Sequence, residues 1–223
     1  MDLRCYDGIE LRAMKCQICD TRKARRHCPG VHGEICSICC GNEREVSISC
    51  PLDCQYLREA RQHEKPQDVN IEDVPNRDVQ VTEEFLQEHE PLFLFLGARL
   101  LEAAFASAGA VDSDVREALE SLIRTYRTLQ SGLYYETKPT NLIAAGIHER
   151  MQEAIEELRK ELAAKNATPV RDAEILGTLV FLERLELHDN NGRPRGRAFI
   201  DYLRRYFPSA QESAAPAVPL IQV

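Results

Sequence analysis

The stretch "HCPGVHGEICSICCGNEREVSISCPLDC", residues 27–54, decides how the N-terminal part of the chain folds. It contains six of the nine cysteines in the 223-residue sequence, and the motif "CQIC" at residues 16–19 adds two more. Between residues 14 and 57 there are only a few sizeable aliphatic side chains, and a core of that size rarely stabilises a domain. We therefore expect metal-bound cysteines to hold this part together.

The cysteine usage favours metal ligands over disulfides. The first fifteen residues contain no hydrophobic run of the kind found in signal peptides. The most apolar window, residues 91–110, contains Arg99 and Glu102, so it predicts a buried helix and no membrane span. We expect a cytoplasmic protein, in which thiols stay reduced and an odd number of clustered cysteines indicates metal binding.

The spacing of the cysteines predicts two zinc ions. Two cysteines separated by two or three residues can direct both sulfurs to one ion about 2.3 Å away. The candidate ligands outnumber the four that one tetrahedral zinc accepts, and crowded extra thiolates would need a second cation. The candidates are Cys16, Cys19, Cys28, His32, Cys36, Cys39, Cys40, Cys50 and Cys54.

The pairing of these ligands stays open at the level of sequence. Adjacent side chains diverge, so Cys39 and Cys40 suit different ions, or one of them is free. In a cross-braced arrangement one site has Cys16, Cys19, Cys36 and either Cys39 or Cys40. The other site then has Cys28, Cys50, Cys54 and either His32 or Cys40. Sequential pairing is the alternative arrangement.

We expect the zinc to be structural. An iron–sulfur cluster is one alternative, because cysteine thiolates also bind such clusters. A catalytic metal is the other, but it requires an open coordination position.

The run "CQICDTRKARRHCPGVHGEICSICC", residues 16–40, resembles the HIT-type zinc finger, a small cross-braced module with two zinc ions. That family has an opening CxxC, a later "CP" and then "CSxxC", which Cys16, Cys19, Cys28, Cys36 and Cys40 match. The resemblance implies that Cys40 is a ligand of the first site and that Cys39 is free. The resemblance covers about 40 residues, and this chain departs from the family in two ways. His32 lies further from the "CP" than the family's ligand does. Cys50 and Cys54 are found where the family has His and Cys. The N-terminal segment of this chain also resembles the N-terminal segments of bacterial zinc-finger proteins.

The rest of the chain predicts helices, so the expected fold class is mainly α, with a two-zinc module followed by a helical bundle. The expected regions are a cysteine-rich module with a closing helix over residues 1–65, an extended linker over 66–81, the bundle over 82–207 and a disordered tail over 208–223.

Several signals predict where the helices begin and end. Thr82 is a predicted helix start, and Pro91 either kinks that helix or begins another. Asp112 is the predicted N-cap of a helix that stops at Gly132. That helix carries a stripe of Val115, Leu119, Leu122, Ile123, Tyr126 and Leu129. Further helices are predicted over residues 141–165, from Thr168 and Pro169 to about residue 187, and over a short segment from Phe199 to Phe207.

Charge gives limited support to a nucleic-acid partner. The formal net charge of the chain is −8, whereas residues 1–65 alone have a formal charge of +1. Metal-bound thiolates would make the net charge of this module negative. A loop with Arg22, Lys23, Arg25 and Arg26 is still a candidate contact for RNA or DNA phosphates, although no aromatic residue is interleaved for base stacking. A second basic patch, Arg193, Arg195 and Arg197, is predicted to be a solvated turn, with an acidic partner or phosphate as the alternative.

No motif supports an enzyme. The sequence contains no P-loop, G-x-G-x-x-G, G-x-S-x-G, H-E-x-x-H or Glu-x-x-His spacing. One candidate site is the connection that contains Tyr134, Tyr135 and Glu136, which could line a cleft. We expect instead that the two tyrosines close the end of the bundle. The predicted surface histidines are His63, His89, His148 and His188.

The sequence therefore favours a non-enzymatic protein-interaction or adaptor protein with structural zinc, which binds a protein partner or self-associates. One alternative is a factor associated with RNA, DNA or the ribosome that uses residues 22–26. The other is an enzyme with its site in the helical domain near Tyr135.

Overall fold

A computed structural model describes residues 14–65, 69–133 and 135–208. These residues form eight α-helices and one two-stranded antiparallel sheet, which confirms the mainly α prediction with a cysteine-rich N-terminal region. Residues 1–13, 66–68 and 209–223 and Tyr134 lie outside the described residues, and with them almost all of the predicted tail.

The cysteine-rich part contains β1 (Arg26–Cys28), β2 (Gly33–Ile35), α1 (Ser37–Glu43) and α2 (Gln55–Arg61). His27 of β1 lies opposite Glu34 of β2. The helical part contains α3 (Glu83–Glu88), α4 (Glu90–Ala106), α5 (Asp112–Gln130), α6 (Leu142–Ala164), α7 (Asp172–Asp189) and α8 (Ala198–Tyr206).

Helix α5 lies at the centre of the helical part and packs against α6, α7 and α8. Its predicted apolar stripe is buried from Val115 to Tyr126, and Leu129 packs at the edge of the core. The periodicity of the sequence therefore predicted the buried face of this helix correctly.

The helix starts predicted at Thr82 and Pro91 are confirmed, and the N-cap predicted at Asp112 is wrong. The Thr82 hydroxyl accepts a hydrogen bond from the Phe85 N–H (3.2 Å), and Pro91 lies in the first turn of α4, so it begins a second helix. Asp112, the predicted N-cap, is instead the first residue of α5. Its carboxylate accepts the N–H groups of Phe199 and Ile200, each at 3.1 Å, at the start of α8. Burial raises the pKa of Asp112 to about 7.

Two side chains in the helical part differ from expectation. His148 is buried, with 2% of its surface exposed, and burial lowers its pKa. Tyr135 is 68% exposed and does not close the end of the bundle. His148 lies on the inward face of α6. The sequence pattern does not show this, because a single polar residue in a helical pattern can face either way.

The described part of the 66–81 segment lies against α5 and α7. Arg184 donates hydrogen bonds to the carbonyl oxygens of Asn76 (2.7 Å) and Val79 (3.1 Å). The Asn76 side chain donates to Glu183 (2.6 Å) and accepts from Arg127 (2.7 Å). Side chains from two helices therefore hold this segment in place.

The basic turn before α8 contacts the cysteine-rich part, so the prediction that it is solvated is wrong for Arg193 and Arg197, while Arg195 is exposed. The Arg193 guanidinium donates to the Arg44 carbonyl (3.1 Å), and the Arg195 N–H donates to the Glu45 carbonyl (2.9 Å). The Arg197 N–H donates to the Glu45 carboxylate (3.0 Å). Nearly 150 residues separate the two sides, which is why local charge pattern could not reveal this contact.

Among the described residues, no helix combines the length and the hydrophobicity that crossing a bilayer requires.

Candidate metal centre

Two short elements bring Cys16, Cys19, Cys36 and Cys39 together. Cys16 and Cys19 flank a tight turn in which the Cys16 N–H donates to the Arg22 carbonyl and the Asp20 N–H donates to the Cys16 carbonyl, both at 2.8 Å. Cys36 is the N-cap of α1, and its sulfur accepts a hydrogen bond from the N–H of Cys39, one turn further on (3.4 Å). The Sγ atoms of Cys16, Cys19, Cys36 and Cys39, the first sulfur group, all lie within 4.8 Å of one another.

The first sulfur group fits a zinc ion. Four sulfurs arranged tetrahedrally around zinc at about 2.3 Å lie about 3.8 Å from one another, a small contraction from the observed spacing. Four thiol ligands without oxygen favour zinc over magnesium or calcium. Three of the cysteines are buried and the fourth is partly exposed, so the group resembles a closed structural site.

The surroundings of the first sulfur group affect its thiols differently. Hydrogen bonds from the Thr21 side chain and from backbone N–H groups lower the pKa of Cys19 to about 5. The Cys39 N–H lowers the pKa of Cys36, whereas burial raises the pKa of Cys39 to about 12. A bound cation is what would favour the thiolate form of all four together.

Arg22 lies beside this group and interacts with its sulfurs. A hydrogen bond to Cys36 and the nearby Cys19 raise the pKa of the Arg22 guanidinium. Zinc with four thiolates carries a formal charge of about −2, which this arginine partly offsets. From sequence, Arg22 was a candidate only for contact with nucleic acid, although its position three residues after Cys19 was a signal that it lies near the sulfurs.

The other four cysteines of the described residues line one small cavity. Cys28 ends β1, Cys40 lies on α1, and Cys50 and Cys54 precede α2. These four, the second sulfur group, line a cavity of about 10 Å³ together with aliphatic residues that include Ile35, Ile48 and Leu57. The sulfurs do not satisfy the mutual spacing found in the first group.

Basic and backbone groups point at the second sulfur group too. Arg26 donates to the Cys40 sulfur (3.3 Å), Arg44 approaches the same atom (3.9 Å), and the Arg26 guanidinium lies 4.4 Å from the centre of the Tyr56 ring. Burial raises the pKa of Cys50, and the backbone N–H of Glu45 partly offsets this effect. The group thus has donors suited to thiolates.

The structure distinguishes the pairings that spacing left open. Cys39 belongs to the first sulfur group and Cys40 faces the second, as expected from the divergence of adjacent side chains. The grouping differs from the pairing that the HIT resemblance implies, with Cys40 in the first site and Cys39 free, because the Cys39 sulfur lies with the first group and Cys40 lines the cavity of the second. His32 is exposed in the β1–β2 turn with a φ of 55° and does not line the cavity.

The basic loop is only partly available to a partner. Arg22 and Arg26 interact with the two sulfur groups, whereas Lys23 and Arg25 are exposed to solvent without such a contact to sulfur. Binding of RNA or DNA through this loop stays a prediction.

Comparisons with models of known protein families, with curated proteins and with solved structures gave no match.

Proposed function

We propose that this protein is a zinc-binding, non-enzymatic protein-interaction protein in which zinc is structural. The observation that carries the proposal is the first sulfur group, four cysteine sulfurs within mutual ligand distance. The buried cluster around it supports a structural role. Among the described residues, that cluster consists of six cysteines and three aliphatic residues, Ile35, Ile48 and Leu57. Structural zinc, worth roughly 10 to 16 kcal/mol of apparent binding free energy, replaces the core that such a cluster lacks.

The proposal includes a second zinc ion, bound by the second sulfur group. Its support is the cavity that the four cysteines share and the two arginines near Cys40. Movement of the four sulfurs towards a common centre would complete a tetrahedral set. His32 is a turn residue in this arrangement.

Replacing one residue at a time tests the second ion and its ligands. We expect His32→Ala to retain two zinc ions per chain, because His32 lies outside both sulfur groups. Cys40→Ala removes a ligand and is expected to retain one. Elemental analysis of the purified variants measures both numbers. Loss of zinc from His32→Ala with retention by Cys40→Ala would show that the histidine is the ligand.

The proposed interaction surface is on the zinc module. Ile18 and Ile38, each next to a cysteine of the first sulfur group, are 39% and 49% exposed. Val46 is exposed as well. Large apolar side chains held outward on a small rigid frame are typical of protein-binding sites.

Capture of cross-linked partners from the native host tests this surface. The bait proteins are the wild type, the wild type stripped of zinc, and the double variant Ile18→Asp, Ile38→Asp. Leu142→Asp is the matched control, since Leu142 is exposed on the helical part. We expect a partner retained by the wild type and the control but lost on zinc removal and in the double variant. If the partner is still captured by the zinc-free wild type and by the double variant, the binding surface lies on the helical part instead.

A further inference from the structure

Residues 44–54, here the junction segment, form one wall of the second sulfur group and also contact the helical part. Cys50 and Cys54 belong to the second sulfur group, and Arg44 and Ile48 line its cavity. On the opposite side, Arg193 reaches the Arg44 carbonyl and Arg195 donates to the Ser49 hydroxyl (2.5 Å). One short stretch of chain therefore serves both parts of the protein.

Glu45 is the centre of this contact. It is completely buried, and its carboxylate accepts hydrogen bonds from Arg61 (2.7 Å), the Asn191 side chain (2.8 Å) and the Arg197 N–H (3.0 Å). Its carbonyl accepts the Arg195 N–H (2.9 Å), and the preceding residue, Arg44, lines the cavity of the second sulfur group. Glu45 thus joins the segment that lines this cavity to the turn before α8.

The backbone of Glu45 adds a second constraint. Its φ of 53° lies in the left-handed region, which costs about 1 kcal/mol or more for a residue other than glycine and persists only where surrounding contacts impose it. The hydrogen bonds of Glu45 to Arg61, Asn191 and the Arg197 N–H are contacts of this kind.

Leu52 forms an apolar link between the same two parts. It lies between Cys50 and Cys54 in sequence, yet its side chain is buried in the core cluster of the helical part. Its carbonyl accepts a hydrogen bond from Arg204 of α8 (3.4 Å). Closing Cys50 and Cys54 around an ion would fix the loop that inserts Leu52.

We infer that an ion at the second sulfur group fixes the docking of the helical part, through Glu45 and Leu52, and that an ion at the first group does not. The inference rests on the proposed second zinc. The described polar contacts between the parts involve Arg44, Glu45, Ser49, Leu52, Arg61 and Glu64 on the module side. All of these residues follow the first sulfur group in sequence and lie in or beyond the junction segment.

Amide hydrogen exchange of two full-length variants tests the inference. Cys54→Ala removes a ligand of the second group, and Cys19→Ala, its matched control, removes one of the first. With Cys54→Ala we expect one zinc to be lost and exchange across residues 190–206 to rise about tenfold or more. With Cys19→Ala we expect one zinc to be lost and exchange there to stay within about twofold.

Zinc content measured on the same samples separates the possible failures. A lost zinc in Cys54→Ala with unchanged exchange at residues 190–206 overturns the docking inference alone. Unchanged zinc content in Cys54→Ala overturns the proposed second ion, and the inference with it. An equal rise in exchange in both variants overturns the selectivity for the second group.

A reciprocal measurement does not depend on removing a ligand. Because coupling between two equilibria acts in both directions, weakening the docking must weaken zinc retention. Glu45→Gln keeps every cysteine, and we expect it to bind one of its two zinc ions about tenfold more weakly than the wild type, measured by equilibrium competition with a chelator. Glu43→Gln, which changes a neighbouring carboxylate paired with Ser47, is the control and is expected to match the wild type. Equal zinc affinity in Glu45→Gln and the wild type contradicts the coupling.

Discussion

Removing zinc with a strong chelator is expected to unfold residues 14–61 while the helices from α4 to α8 stay folded. Three buried aliphatic residues cannot replace roughly 10 to 16 kcal/mol of apparent binding free energy for each structural ion. The helical part has a large separate core spread over α4 to α8. Amide exchange resolved along the chain measures the effect, because protection in β1, β2 and α1 should disappear.

Adding zinc back is the control for this experiment. Protection of residues 14–61 is expected to return with zinc and not with magnesium, because thiolates bind zinc and magnesium prefers oxygen. Full protection of β1 and α1 in protein that contains no zinc would show that the cysteines pack as ordinary core residues.

Phe199→Ala is expected to destabilise the helical part by about 3 to 5 kcal/mol, the usual cost of deleting a buried aromatic ring. The Phe199 side chain is fully buried in the main core. Its N–H also donates to Asp112, so the ring and the start of α8 are fixed at the same place. Urea unfolding in the presence of zinc measures the change in the free energy of unfolding.

Tyr206→Ala is the matched control on the same helix. More than half of the Tyr206 side chain is exposed, so we expect a loss of about 1 kcal/mol or less. Similar effects of the two substitutions would contradict the position of α8, because the Phe199 ring is buried in the core and the Tyr206 ring is largely exposed.

Local patterns predicted most of the helical fold. Apolar periodicity marked the buried face of α5, and Thr82 and Pro91 marked helix starts that the structure contains. Asp112 shows where such reasoning fails. An acidic residue before an apolar stripe looks like a local cap, but its acceptors serve N–H groups 87 and 88 residues away. Only the packing of α8 against α5 decides between the two roles.

The sulfur groups were predictable in part. Spacing showed that several cysteines converge and that Cys39 and Cys40 diverge, but the choice between those two depends on the phase of α1. The seven residues of that helix, "SICCGNE", have no periodicity that would predict it. The contact between Glu45 and residues 191–197 was out of reach for a related reason, since it joins segments about 150 residues apart.

Counting the metal in unmodified protein tests the two structural zinc ions most directly. The chain is purified without added metal, and its content is measured by elemental analysis and by the mass of the native protein. We predict two zinc ions per chain, with one remaining in Cys40→Ala and two in His32→Ala. A brown protein that contains iron, or a wild type that holds a single zinc, would contradict two zinc ions bound by eight cysteines.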